Sequence, residues 1–235
     1  MTSSISRLAL VCGITLLFTP AIARSQSSEM QQRVAALKQS MAQDQQKIRQ
    51  YEWVETTVIS VKGEEKSRKE QQCYYGADGA LQKVPLSASP PPEEKRGLRG
   101  RVVAKKKEEM ADYLEQAMAL VKTYVPPSPA KIQAVRDAGN VDMDLPGGGK
   151  GARFNFHNYA KPGDLLTMEI DPASNRLVEL TVATYLDDAK DAVTLDVRFS
   201  SLQDGTGYPA AETLVAKAKN LSVNITNSGY RKAGQ

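Results

Sequence analysis

A single histidine, His157, is the chain's whole supply of imidazole. That alone excludes His-rich zinc sites and H-E-x-x-H peptidases, which place several imidazoles around one ion. Strand alternation turns His157 away from Phe154 and Phe156, onto an outward polar face with Arg153, Asn155 and Tyr159. No nucleophile is at hand for it to serve as base. Ser128-Pro129-Ala130-Lys131 fits the S-x-x-K pattern of serine acyl-enzymes, but the partner motifs S-D-N and K-T-G are absent from the chain. Ser followed by Pro is also what a helix start requires, a capping hydroxyl and then a residue with no N–H to lose.

Gly147-Gly148-Gly149-Lys150-Gly151 falls short of a phosphate loop. Asp144 stands where the first glycine belongs, and Gly151 follows Lys150 where a hydroxyl must reach magnesium. Asp187, Asp188 and Asp191 lack the D-x-D-x-D-G spacing of a calcium loop and read as a polar turn. Of two cysteines, Cys12 lies in an apolar leader near the N-terminus, which leaves Cys73 without a partner for a disulfide. Cys73 alternates with Tyr75 and reads as a small buried hydrophobe. The sequons at Asn220 and Asn224 matter only in a glycosylating host. The residues thus predict a non-enzyme with no metal and no cofactor.

One charge concentration remains: Lys95, Arg96, Arg99, Arg101, Lys105, Lys106 and Lys107. Such a run could meet an anionic lipid surface, but charge runs are usually solvated faces. No aromatic residues interleave with it, so single-stranded nucleic acid is not an expected ligand.

The strongest signal of destination lies at the N-terminus. Arg7 precedes the apolar run Leu8–Phe18, and Pro20-Ala21-Ile22-Ala23 follows, the pattern of a secretory signal peptide over residues 1–25. The run is too short for the ~20 residues of a spanning helix, so cleavage near Ala23 or Ser25 would leave no transmembrane segment. Leu10-Val11 precede Cys12 where a lipidation motif wants small residues, so the expectation is a soluble periplasmic or secreted protein. The whole chain carries a formal +4 charge, which falls to near +2 without Arg7 and Arg24. That is too balanced to indicate nucleic acid.

Around these residues the elements follow from periodicity. Met30, Val34, Leu37, Met41 and Ile48 recur at helical spacing and predict a helix over Ser28–Gln50, capped by Ser27 or Ser28. Tyr51, Trp53, Thr57, Ile59 and Val61 then alternate as a strand, interrupted by Glu55. Gly63 and Asp78-Gly79 mark hairpin turns. Pro85, Pro90-Pro91-Pro92 and the basic residues make 85–103 an exposed connection. A second helix carries Met110, Leu114, Ala117, Val121 and Tyr124, with Glu108, Glu109 and Asp112 suited to its positive end. A short helix runs from Pro129 to about Ala138.

The remainder is strand after strand joined by tight turns: Phe154/Phe156, Leu166/Met168/Ile170, Val178/Leu180/Val182, Val193–Phe199 and Leu221–Ile225. Residues 208–219 suit either helix or strand. The sum is one α+β domain over 26–235, a curved antiparallel sheet in an open half-barrel, covered on one face by two amphipathic helices.

This order of elements, opening on Tyr51-Glu52-Trp53-Val54-Glu55-Thr56, resembles the periplasmic lipoprotein-carrier superfamily. The stretches Gln72–Gly79, Thr184–Asp188 and Thr226–Lys232 resemble uncharacterised secreted bacterial proteins. The resemblance implies a half-barrel closing over helices, with an apolar hollow for a lipid or acyl chain. Trp53, Ile59, Phe154, Phe156, Leu180, Leu195, Val197 and Phe199 would line it, under a lid of Met110, Leu114, Met118 and Val121. The alternatives are a filled core, as close packing favours, and an envelope module that engages a protein partner.

Overall fold

The computed structural model describes residues 22–86, 98–144 and 151–234. Residues 1–21 of the stretch read as a signal peptide (1–25), the middle of the proline-rich connection and the glycine loop at 145–150 lie outside them. The chain separates into two units, 1–35 and 36–235. The described part of the first is the start of helix α1 (Ile22–Ile48). The end of that helix and all the other elements belong to the second.

After α1 come β1 (Tyr51–Val61), β2 (Glu64–Tyr75), β3 (Leu81–Pro85), α2 (Leu98–Val121) and α3 (Pro129–Asp137). Then follow β4 (Val141–Asp144), β5 (Ala152–His157), β6 (Leu165–Asp171), β7 (Arg176–Tyr185), β8 (Ala192–Ser201), β9 (Gly207–Ala216) and β10 (Leu221–Lys232). The ten strands form one open antiparallel sheet in the order β3-β2-β1-β10-β9-β8-β7-β6-β5-β4. The α+β architecture expected from periodicity is the one observed. The β1–β2 turn is Lys62-Gly63, both at positive φ (54° and 79°), the geometry that matches the twist of a two-residue hairpin.

Directly opposed residues of an antiparallel pair share a face, so the register lays out the core. One row crosses seven strands without a polar residue: Phe156, Leu166, Val182, Leu195, Leu214, Val223 and Ile59. The neighbouring row runs Phe154, Met168, Leu180 and Val197, then meets Glu212 before Ile225. Register shifts at Glu52/Val54, Ile59/Ser60, Glu169/Ile170 and Arg198/Phe199 are the bulges by which a long sheet twists and bends.

Several expectations need correction. α1 runs straight through Ser27 and Ser28, so neither caps it. α2 begins at Leu98, within the stretch read as a connection, because the lysine-rich segment has good helix formers and no proline. Glu108, Glu109 and Asp112 therefore sit mid-helix rather than at its positive end. Residues 207–216 form strand β9, since pairing on both edges overrides their helical composition. The bulge opposite Glu169 puts Leu177 in the core and leaves Val178 exposed, against simple alternation. Tyr159 is buried rather than outward. The strand ends at His157, and Asn158 at φ 54° turns the chain inward, where the Tyr159 hydroxyl accepts from Ser128 N–H at 2.7 Å.

Ser128 caps α3 as its spacing predicts, accepting from Lys131 N–H at 3.5 Å, with Pro129 opening the helix. α2 is locked at its C-terminal end. The wholly buried Tyr124 donates to Asp164 Oδ2 at 2.6 Å and lies 2.9 Å from the Thr184 hydroxyl. Among the described residues no helix is long and apolar enough to cross a membrane.

Candidate functional site

Two clefts open between the helices and the apolar side of the sheet. The larger, about 520 Å³, lies under the C-terminal half of α1, with Met41, Asp44 and Ile48 on one wall and Trp53, Tyr75, Tyr208 and Tyr230 on the other. The smaller, about 300 Å³, lies under the end of α2, where Met118, Val121 and Val125 face Leu195, Val197, Leu214, Val223 and Ile225. Phe199, Pro209 and Glu212 line both, so the clefts adjoin there. Each volume falls in the ~300–1,000 Å³ range of small-molecule sites.

The larger cleft is walled by interlocked aromatic rings. Trp53 stacks on Tyr230 with centroids 5.4 Å apart and planes 15° apart. Tyr208 tilts against Tyr230 at 4.3 Å, and Tyr75 against Trp53 at 6.1 Å. The indole is fixed: Trp53 Nε1 donates to Asn227 Oδ1 at 3.1 Å, and Asn227 Nδ2 donates to the Pro209 carbonyl at 2.9 Å. Burial is the main cause holding the Tyr230 hydroxyl above the ordinary phenol range. The Arg49 guanidinium lies over the Tyr75 ring, 5.6 Å from its centroid, a cation resting on the aromatic wall.

Set into this wall is a charged cluster. Lys83 Nζ donates to both oxygens of Glu55, at 2.7 and 2.6 Å. Asp44 on α1 pairs with Arg176 on β7 at 3.0 Å. The backbone of Gly207 passes so close beneath this pair that a Cβ there would lie 2.6 Å from Asp44 Oδ2. Glu212 has no hydrogen-bonding side-chain partner among the described residues. Desolvation, and then the charge of Glu55, raise its carboxyl above the ordinary range, while Lys83 partly offsets them.

The structure gathers some of the expected lining residues and separates others. Trp53 and Phe199 line the larger cleft, and Leu195, Val197, Phe199, Met118 and Val121 line the smaller. Phe154, Phe156 and Leu180 are buried and line neither cleft. Ile59, Met110 and Leu114 are half-buried and line neither cleft.

Of the basic run, Arg101, Lys105, Lys106 and Lys107 are exposed on α2, and Arg99 falls in its first turn. Lys95 and Arg96 lie outside the described residues. His157 is exposed on the outer face and pairs with Asp142 at 2.6 Å. Cys73 is free and wholly buried. Among the described residues no group of three or more His, Cys, Asp or Glu could hold a metal ion.

Sequence reasoning missed Glu55, Lys83, Glu212, Asn227 and the three cleft tyrosines. The signal for Glu55 was present: it shares the parity of Trp53 and Thr57, so the charge points to the apolar side.

No family model matches the chain, and no curated protein matches it in sequence. Solved structures that align with it include a LolA superfamily protein from Nitrosomonas europaea, 7% identical over 79% of this chain and 86% of that one, with a TM-score of 0.34. A DUF1329 family protein from Desulfovibrio piger is 11% identical over 85% and 92%, with a TM-score of 0.37. A domain named for outer membrane lipoprotein sorting, from Vibrio parahaemolyticus, is 10% identical over 82% and 91%, with a TM-score of 0.35. These likenesses extend no ligand or activity to this chain.

Proposed function

We propose that this is an exported, non-enzymatic protein that binds a lipid or similar amphiphile in the adjoining clefts. The observation that carries this reading is their continuity at Phe199, Pro209 and Glu212. A chain lying in the smaller, apolar cleft leads directly into the larger one, where polar groups stand among aromatic rings. That sequence, grease and then a few placed polar groups, is the usual composition of a small-molecule site. Export rests on the leader pattern of residues 1–25, and it fits a binding role outside the cytoplasm.

The test is native mass spectrometry of the full chain expressed with its leader in a Gram-negative host and purified from the periplasm. The expected result is a chain shortened near Ala23 or Ser25 carrying bound lipid. An empty protein that also ignores added fatty acids, lysolipids and alkyl detergents would remove the binding role. An uncleaved cytoplasmic product would remove export.

A further inference from the structure

We propose that the ligand's polar end is an ammonium cation, primary or quaternary, held in the larger cleft against Glu212 and the aromatic wall of Trp53, Tyr75, Tyr208 and Tyr230. This rests on the binding role above and adds the chemistry of the head group. Four carboxylates line the larger cleft, Asp44, Glu55, Asp171 and Glu212, against two cations, Lys83 and Arg176. Both cations are already engaged, Lys83 by Glu55 and Arg176 by Asp44. An anionic head would therefore find both lining cations engaged and two carboxylates in excess, with Arg49 over the Tyr75 ring the further cation at this wall. Asp171 is satisfied within its own turn, by the Ser174 hydroxyl at 2.6 Å and Ala173 N–H at 3.0 Å.

Glu212 is different. It occupies the inward row between Val197 and Ile225, lines both clefts, and has no hydrogen-bonding side-chain partner among the described residues. A half-buried carboxylate without a partner costs stability, and a ligand cation would supply the partner. The walls suit the same charge. Ring faces attract cations, quaternary ammonium most of all, because its methyl groups shed water easily. The Arg49 guanidinium over Tyr75 is such a contact within the molecule itself. Lys122 lines the smaller cleft, where the alkyl chain would lie, and is exposed.

Trp53 is the only tryptophan in the chain and lines the larger cleft, so its fluorescence reports occupancy directly. The experiment titrates the leaderless protein with dodecyltrimethylammonium, dodecyl maltoside and dodecyl phosphate, each below its critical micelle concentration. The expected order is cationic tightest, by at least tenfold over the neutral probe, with the anionic probe weakest. Glu212→Gln should bring the cationic-to-neutral ratio down toward one, and Tyr208→Leu should lower it in part. Each variant must also bind dodecyl maltoside as tightly as the parent does, which a protein that has lost its fold would not. Equal binding of all three probes, or preference for the phosphate, overturns the head-group assignment and leaves the apolar cleft standing. No saturable response to any probe overturns both.

Discussion

Lys83 on the edge strand β3 reaches across β2 to grip both oxygens of Glu55 on β1, closing a pair 28 residues apart in sequence directly over the buried thiol of Cys73. The Glu55 side chain is 12% exposed, whereas the Lys83 side chain is 39% exposed. The pair thus lies between the exposed case, worth ~0–1 kcal/mol, and the buried case, where removing one partner costs ~3–5 kcal/mol. Lys83→Met is therefore expected to lower stability by roughly 1–3 kcal/mol, since it strands a desolvated carboxylate. Urea unfolding should show the loss, and adding Glu55→Gln should restore much of it. A double variant as weak as the single one would mean that Lys83 acts through its packing alone.

Glu212 makes a prediction of opposite sign. Its carboxyl is raised in the fold chiefly by desolvation, then by Glu55, and lowered by Lys83. The other titratable side chains lining the two clefts are Asp44 on α1, Tyr75 on β2, Asp171 on β6, Arg176 on β7, Tyr208 on β9, Tyr230 on β10 and Lys122 just after α2. Between the unfolded and the folded value the native state binds more protons, so Glu212 costs stability progressively as pH rises through that window. Glu212→Gln should stabilise the ligand-free protein at pH 7 and make little difference near pH 4. Melting temperatures of the two proteins across that range provide the check, and a gap that widens on acidification contradicts the assignment.

These two residues also mark where the sequence could be read and where it could not. Most of the apolar row from Phe156 to Ile59 was legible, because alternation alone puts residues such as Leu195 on one side of each strand; Leu214 was not, since residues 208–219 suit helix as well as strand. The polar cluster was not. Glu55, Lys83 and Glu212 are 28 and 129 residues apart, and only the pairing of β1 with β10 brings the first strands beside β9. Single-residue irregularities defeat alternation too: one bulge exchanges Leu177 for Val178, and one left-handed Asn158 sends Tyr159 inward. Which part of the face stays open is a matter of how α1 and α2 sit, and helical periodicity says nothing of that.

The helix over the smaller cleft depends on a buried polar contact. Tyr124 Oη donates to Asp164 Oδ2, which also receives Ala160 N–H and Lys161 N–H, both at 2.9 Å. Tyr124→Phe removes one donor and leaves the Thr184 hydroxyl without its neighbour at 2.9 Å. The expected cost is about 1–3 kcal/mol, the usual penalty for a buried polar group deprived of its partner. Since Tyr124 closes the end of α2, amide exchange should quicken first in residues 117–125 and only later in the strands. Uniform acceleration across the sheet would show that the contact does not fix the helix in particular.

Filling the smaller cleft separates its role from that of the larger. Val121 is 7% exposed and lines the smaller cleft opposite Val197 and Leu214, whereas Leu114, two turns earlier on α2, lines neither. Val121→Trp puts a large ring into about 300 Å³ of space, and overpacking of this kind typically costs ~1–3 kcal/mol, so the fold should survive. A ligand whose chain occupies that space must lose contact area in proportion to its length, at about 0.8 kcal/mol for each methylene kept from burial. The variant is therefore expected to weaken trimethylammonium amphiphiles with twelve-carbon chains tenfold or more, and six-carbon chains by less than threefold. Leu114→Trp, which leaves the cleft open, should bind both as the parent does. If Val121→Trp weakens short and long chains alike, the chain does not run from the aromatic cleft into the smaller one, and the two cavities act separately.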